Sequence, residues 1–249
     1  MVVSETCQEE FMTIPLDLSP PPAPTRSTMA DAVYQDLRRA ILELRLKPGM
    51  RVSEAEIARQ MGVSRQPVRE AFIRLARIGY LNVQPQRRTE IVKISVREVL
   101  NARFIREALE VAVVRRACEG DTRALVEQLT ANLTAQRAAQ EADDRREFHR
   151  LDDMFHRLIA EGAGCGFTWA LIDEQKAQLD RMRFLTLSYG QPDVYDDHLA
   201  IFEALKARDP AKAEAAMRVH LGRIIRHLER LRMEFGEYFE ETGETLVEG

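Results

Sequence analysis

All five histidines of this 249-residue chain lie beyond residue 148, and three of them sit on apolar helix faces. Asp152, Phe155, His156 and Ile159 follow the i, i+3, i+4, i+7 spacing of a core-facing stripe. His198, Ile201, Phe202 and Leu205 repeat it, as do Ala213, Ala216, Met217 and His220. For any one buried imidazole, a single hydrogen-bond partner is the plainer explanation. Three inward imidazoles and an inward carboxylate are harder to satisfy separately. A divalent cation resolves all four at once, because it neutralises Asp152 and takes a lone pair from each ring. Asp152 and His156 are one turn apart on one face, a spacing that lets both reach a single ion. His149 and His227 lie seven residues from His156 and His220, about 10 Å along a helix, so they cannot share a first shell with those partners. Periodicity does not choose between the two sets.

The elements that carry these residues begin at Val96. Long amphipathic segments follow, broken at Gly120-Asp121, Asp143-Asp144, Gly162 to Gly166, Gly190 to Pro192 and Asp209-Pro210. The pattern predicts an all-α helical bundle of about six helices over 96–239, then a frayed acidic tail over 240–249. Upstream, residues 1–28 hold five prolines and little periodic apolar content, which predicts an extended, disordered leader.

Residues 29–95 read differently. Val33, Leu37, Ile41 and Leu44 form one helical stripe that stops at Pro48-Gly49. Ser53 and Glu56 have the spacing of a capping box for a second helix that Gly62 ends. Ser64 caps a third, with Pro67 in its first turn and Val68, Phe72 and Leu75 facing inward. Leu81–Val83 and Glu90–Ile94 then read as two strands around the polar tip Pro85, Gln86, Arg87, Arg88. The fold class expected is mainly α, a winged helix-turn-helix followed by the bundle. A helix in the major groove reads base edges from its N-terminal end, and the Arg fork matches guanine. Arg65, Gln66 and Arg69 occupy that end of the third helix, Ser64 can offer its hydroxyl to a phosphate, and Arg87 and Arg88 at the wing reach backbone or minor groove. Charge agrees: residues 26–97 carry +8 and residues 98–249 carry −8, against −4 for the chain. The partner expected is double-stranded operator DNA, read by a homodimer because one winged helix spans only a few base pairs.

SRQPVREAFIRLARIGYL followed by VQPQRRTEIV resembles the GntR superfamily of bacterial transcription regulators. The resemblance spans about Met29 to Ile94 and implies operator contacts from Ser64, Arg65, Gln66 and Arg69. Ala55 stands where relatives often carry Arg, and Arg88 where they often carry a wing-tip Gly. Downstream, LDDMFHRLIAEGAG resembles the D-x-x-F-H signature of the FCD effector domains. This resemblance, not the periodicity, selects Asp152, His156, His198 and His220 as the metal set. The helix count looks like the VanR-type branch, and Cys165 stands where many relatives have Asn. RFIREALE resembles the R-x-x-L-E stretch of the first bundle helix and implies that Arg106 holds a small carboxylate effector, an organic or sugar acid, by a bidentate pair. Arg181 and Arg183 on a later helix are further candidates. The ion expected is zinc, with nickel or manganese as alternatives.

Cys7, Cys118 and Cys165 make no disulfide framework or zinc ribbon. No apolar run is long enough for a membrane span and the acidic N-terminus is unlike a signal peptide, so a cytoplasmic protein is expected. Two other functions fit less well. A metal-dependent hydrolase needs a general base beside the bound water, yet HExxH is absent and no acid besides Asp152 is clearly aimed inward. A metal sensor would use the ion itself as signal, but four protein ligands leave positions that a small acid can fill.

Overall fold

The computed structural model describes residues 29–84, 88–186 and 192–241. The expected leader, the wing-tip residue Arg87 and most of the acidic tail lie outside them. The first half is built from α1 (Met29–Leu42), β1 (Arg51–Val52), α2 (Glu54–Met61), α3 (Arg65–Arg77), β2 (Leu81–Gln84) and β3 (Arg88–Ile91). Ser53 accepts from the Glu56 amide at 3.1 Å and starts α2, and Gly62 at φ +65° stops it. Ser64 stands at the N-cap of α3, but its side chain makes no capping bond, which corrects the expected role and leaves the α3 amides open. The helix α1 ends at Leu42, short of Pro48-Gly49, because Leu44 turns to φ +57°. The wing has a third strand that the sequence reading missed: β1 pairs with β3 (Arg51 opposite Glu90), which pairs with β2 (Leu81 opposite Ile91), all antiparallel. Two residues are too few to show an alternating pattern. Val33, Leu37, Ile41, Val68, Phe72 and Leu75 fill the core as their spacing requires.

Among the described residues the second half has seven α-helices rather than about six: α4 (Val96–Glu119), α5 (Arg123–Glu141), α6 (Arg145–Gly162), α7 (Gly166–Gln175), α8 (Ala177–Thr186), α9 (Pro192–Lys206) and α10 (Pro210–Glu234). The extra helix arises because α7 and α8 break at Lys176 without a Gly or Pro between them. Six helices were the ground for the VanR-type branch, and that ground is gone. Asp144 and Asp209 cap α6 and α10 by accepting from the amides of Glu147 and Lys212 at 3.0 and 3.1 Å. Chain pairing continues past the expected boundary at Phe239, because the Glu240 amide donates to the Ile94 carbonyl at 3.0 Å.

The helix α8 makes several of the contacts between the halves. Ala177 of α8 is buried in the core of the winged half, Gln178 donates to the Gly79 carbonyl at 3.3 Å, and Arg181 donates to the Val92 carbonyl. Arg38 of α1 pairs with Asp173 of α7 at 3.2 Å. No helix among the described residues is long and apolar enough to cross a membrane.

The left-handed Gly62 generates a direct prediction. An added Cβ there meets nothing within 4 Å, so Gly62→Ala costs only the left-handed backbone strain, about 1–2 kcal/mol in denaturant unfolding. An unchanged midpoint would show that the α2–α3 turn does not depend on that conformation.

Candidate functional site

Asp152, His156, His198 and His220 each place a ligating atom within 4.8 Å of the others, although they come from three helices. Nε2 of His156 is 3.1 Å from Nε2 of His220, and Nε2 of His198 is 3.4 Å from Asp152 Oδ1. The opposite nitrogen of every ring faces an oxygen. Glu110 Oε2 of α4 lies 2.5 Å from His156 Nδ1, close but off the hydrogen-bond line. Gln136 Oε1 of α5 lies 2.8 Å from His198 Nδ1, and Asp197 Oδ2 lies 3.5 Å from His220 Nδ1. The His198 tautomer is anchored in the backbone: Asn132 donates to the Leu151 carbonyl at 3.0 Å, and Gln136 donates to Asn132 Oδ1 at 2.6 Å. That leaves the Gln136 oxygen for the imidazole. A proton on Nδ1 leaves the Nε2 lone pair pointing into the cluster, the arrangement of a ligating histidine with its outer partner.

Burial and neighbours set the protonation states. Burial drives the His198 pKa well below the ordinary value, and the neighbouring imidazoles and arginines add to it. His220 falls to about 4 through burial, against the pull of Asp197. Burial alone would raise the Glu110 carboxyl, but Arg106 and His156 overcome it and hold the acid well below its usual range. Glu110 and Asp197 thus also face inward as buried carboxylates, which corrects the expectation that Asp152 alone does so. The sequence signal existed: Glu110 lies four residues after Arg106, which donates to it at 2.6 Å. Asp197 precedes His198 in sequence yet serves His220, a pairing across helices that spacing does not reveal.

Beside the cluster is a cavity of about 70 Å³ with Arg106, His149, Asp152, Arg183, His220 and His227 in its lining. One water needs roughly 10–15 Å³ by the same measure, so the space suits a small organic molecule. Arg106 Nη2 and His149 Nε2 are buried without a hydrogen-bond partner. Arg183 forms ion pairs with Asp152, with Asp153 at 3.0 Å and with Asp180 at 3.1 Å. Arg181 is different: it is fully buried, points to Val92, Gln178 and the Tyr80 ring, and does not line the cavity. It is therefore not an effector contact. Residues two apart on a helix face nearly opposite ways, which separates it from Arg183. Cys165 lies outside the cavity lining as well. A second group, His149, Asp153 and Asp180, already holds an internal cation, since Lys176 pairs with Asp153 and with Asp180 at 3.1 Å.

On the winged half, Ser64, Arg65, Gln66 and Arg69 are all exposed along the N-terminal turns of α3. Glu54 of α2 approaches Arg65 at 3.6 Å and Arg69 at 3.4 Å, while Gln66 donates to Glu70 at 3.0 Å. Arg88 opens β3.

These protonation states predict how the metal-stripped protein responds to acid. His149, pushed to about 3 by burial, His198 and His220 all bind protons less readily folded than unfolded. Their stabilising effect is complete above about pH 6.5 and is lost as pH falls toward the folded values, by up to ~1.4 kcal/mol per unit for each. Asp180 acts the other way, because burial raises it to about 6 and the folded protein takes up that proton first; it offsets one histidine below pH 6. Urea unfolding after chelation should therefore show stability falling from pH 7 to pH 5. A flat or rising profile would contradict the buried neutral imidazoles.

Comparison with known proteins agrees with both halves. Residues 29–91 match the bacterial regulatory proteins of the gntR family, and residues 102–223 match the FCD domain. The chain is 39% identical over 232 residues to the HTH-type transcriptional repressor RspR of Escherichia coli K12, covering 92% of this chain and 100% of that protein. It is 27% identical over 219 residues to the HTH-type transcriptional repressor NanR of Klebsiella aerogenes, covering 79% and 84%. The solved structure of E. coli McbR/YncC superposes with a TM-score of 0.71 at 23% identity, covering 82% of this chain and 99% of that one, which supports the fold. With its winged helix-turn-helix and helical FCD domain, the chain is a member of the gntR family of bacterial transcription regulators, not an enzyme.

Proposed function

We propose that this regulator is a cytoplasmic, homodimeric repressor whose FCD half, residues 96–239, holds one divalent metal ion and a small organic or sugar acid that governs operator binding by residues 29–95. The observation that carries the metal is the convergence of imidazole Nε2 atoms on Asp152, with each Nδ1 turned to Glu110, Gln136 or Asp197. Two buried Nε2 lone pairs 3.1 Å apart repel unless a cation or proton lies between them. Three imidazoles and a carboxylate suit zinc first, and also nickel or manganese. Bound there, the ion supplies positive charge and coordination positions for an oxygen ligand. Repression is the activity of the named relatives RspR and NanR.

The acid reading rests on the cavity. Arg106 Nη2 is a buried donor without a partner in its wall, and Arg183 adds a second guanidinium. Such a pair holds a carboxylate by charge-assisted hydrogen bonds. An ion acting alone as signal would not need this cationic space, so the metal-sensor reading is the weaker one. Arg183 also provides a route to DNA. An acid that draws it from Asp152, Asp153 and Asp180 changes the charge balance along α8, whose other face, Ala177, Gln178 and Arg181, is docked in the winged half. By linkage the acid then binds operator-bound and free protein with different affinity.

Elemental analysis of the purified full-length chain should find one divalent ion per chain, and His198→Ala should lose it. Stripping the ion should lower the melting temperature, with a stabilisation of about 4 kcal/mol when free metal exceeds its Kd a thousandfold. In the metal-loaded protein small carboxylates should raise the melting temperature further, and Arg106→Ala should abolish that increment. A metal-free protein as stable as the loaded one would defeat the proposal. For DNA, Arg69→Ala should weaken operator binding by about 1–3 kcal/mol and relax one base-pair preference. Equal losses on operator and random duplex would refute the base contact.

A further inference from the structure

We infer that Glu54 is a positioning residue for base reading, which it performs by holding the guanidinium groups of Arg65 and Arg69 side by side before DNA arrives. This rests on the assignment of Arg65 and Arg69 to base contacts. Glu54 is the first residue of α2, and its carboxylate reaches the N-terminal turns of α3. One oxygen, Oε1, lies 3.4 Å from Arg69 Nε, and the other, Oε2, lies 3.6 Å from Arg65 Nη2. The acid side chain is only 24% exposed while the two arginines are 67% and 59% exposed, so the carboxylate sits beneath two solvent-facing guanidinium groups. Oε2 is buried with no hydrogen bond. The Arg65 guanidinium 3.6 Å away offers it an opposite charge, so the acid draws that group toward itself.

The consequence is for specificity more than for affinity. An Arg side chain loses rotamer freedom when it pairs with a guanine edge, and a fork ordered in advance loses less. The same carboxylate opposes capture of either arginine by a backbone phosphate, which would add affinity on any sequence. Holding both arginines from one acid needs its charge and its reach together. Glutamine offers a single acceptor and turns a donor on the second guanidinium. Aspartate keeps the charge but is shorter by one methylene and cannot span both contacts.

The test compares full-length wild type with Glu54→Gln and Glu54→Asp on two duplexes: one selected from a random-sequence library by the wild-type protein, and a scrambled duplex of equal length. Both variants should lower the selected-to-scrambled affinity ratio about tenfold, a part of the discrimination that a bidentate arginine contact supplies. Their melting temperatures should match wild type. Introduced into Arg69→Ala and Arg65→Ala together, Glu54→Gln should have no further effect on the ratio, which a general loss of folding would not reproduce. An unchanged ratio in either single variant, or an equal loss in the arginine-free background, overturns the inference. If the arginine substitutions themselves leave the ratio unchanged, the base-contact assignment fails and the positioning role fails with it. If they lower it and the Glu54 variants do not, only the positioning role fails.

Discussion

The helical half of this regulator is organised by the cost of burying imidazole lone pairs against one another. His156, His198 and His220 are withdrawn from water and sit with ring centroids 4.7–5.5 Å apart. A nitrogen lone pair in such a place needs a proton, a donor or a cation. Burial and neighbouring charge disfavour the proton at His198 and His220. The buried oxygens of Glu110, Gln136 and Asp197 occupy the far side of each ring, and Gln136 hydrogen-bonds His198 Nδ1 there. What remains is a concave set of electron pairs beside a carboxylate, and the helices α4, α5, α6, α9 and α10 each contribute at least one member of it or of its outer ring.

A second constraint is charge balance in a space with little water. Lys176 and Arg181 are buried at the start of and within α8, Arg183 on the same helix is half-buried, and each is matched differently. Lys176 and Arg183 share the carboxylates of Asp153 and Asp180. Arg181 donates to the neutral oxygens of Val92 and Gln178 and lies against the Tyr80 ring, and burial lowers its pKa to about 10. The helix that faces the cavity with Arg183 therefore holds the wing with Arg181. A change in charge at one face has a mechanical path to the other that needs no long chain of intermediates.

Much of this was legible in the amino-acid sequence, for reasons that differ from residue to residue. The inward faces of His156, His198 and His220 follow from helical spacing, and α3 from its Ser64, Pro67 and Gly79 punctuation. Choosing His156 over His149 needed the D-x-x-F-H resemblance, because both residues face inward. Of the acceptors behind the rings, Glu110 left a signal in its four-residue spacing from Arg106, whereas Gln136 reaches His198 across 62 residues and could not be read. The α7–α8 break at Lys176 was hidden by the lack of any Gly or Pro. Lys176 is buried there and pairs with Asp153 of α6, a tertiary contact that local sequence does not show. The two faces of α8 were in principle readable: a two-residue step separates Arg181 from Arg183, and helical geometry sends them apart.

X-ray absorption at the zinc edge of the loaded full-length protein addresses the central claim most directly, because it reports the atoms around the ion without reference to any effector. Three imidazole nitrogens at about 2.0–2.1 Å, with carboxylate oxygen completing the shell, are the predicted result. A shell with one imidazole or none, or one dominated by water oxygen or thiolate sulfur, would contradict it.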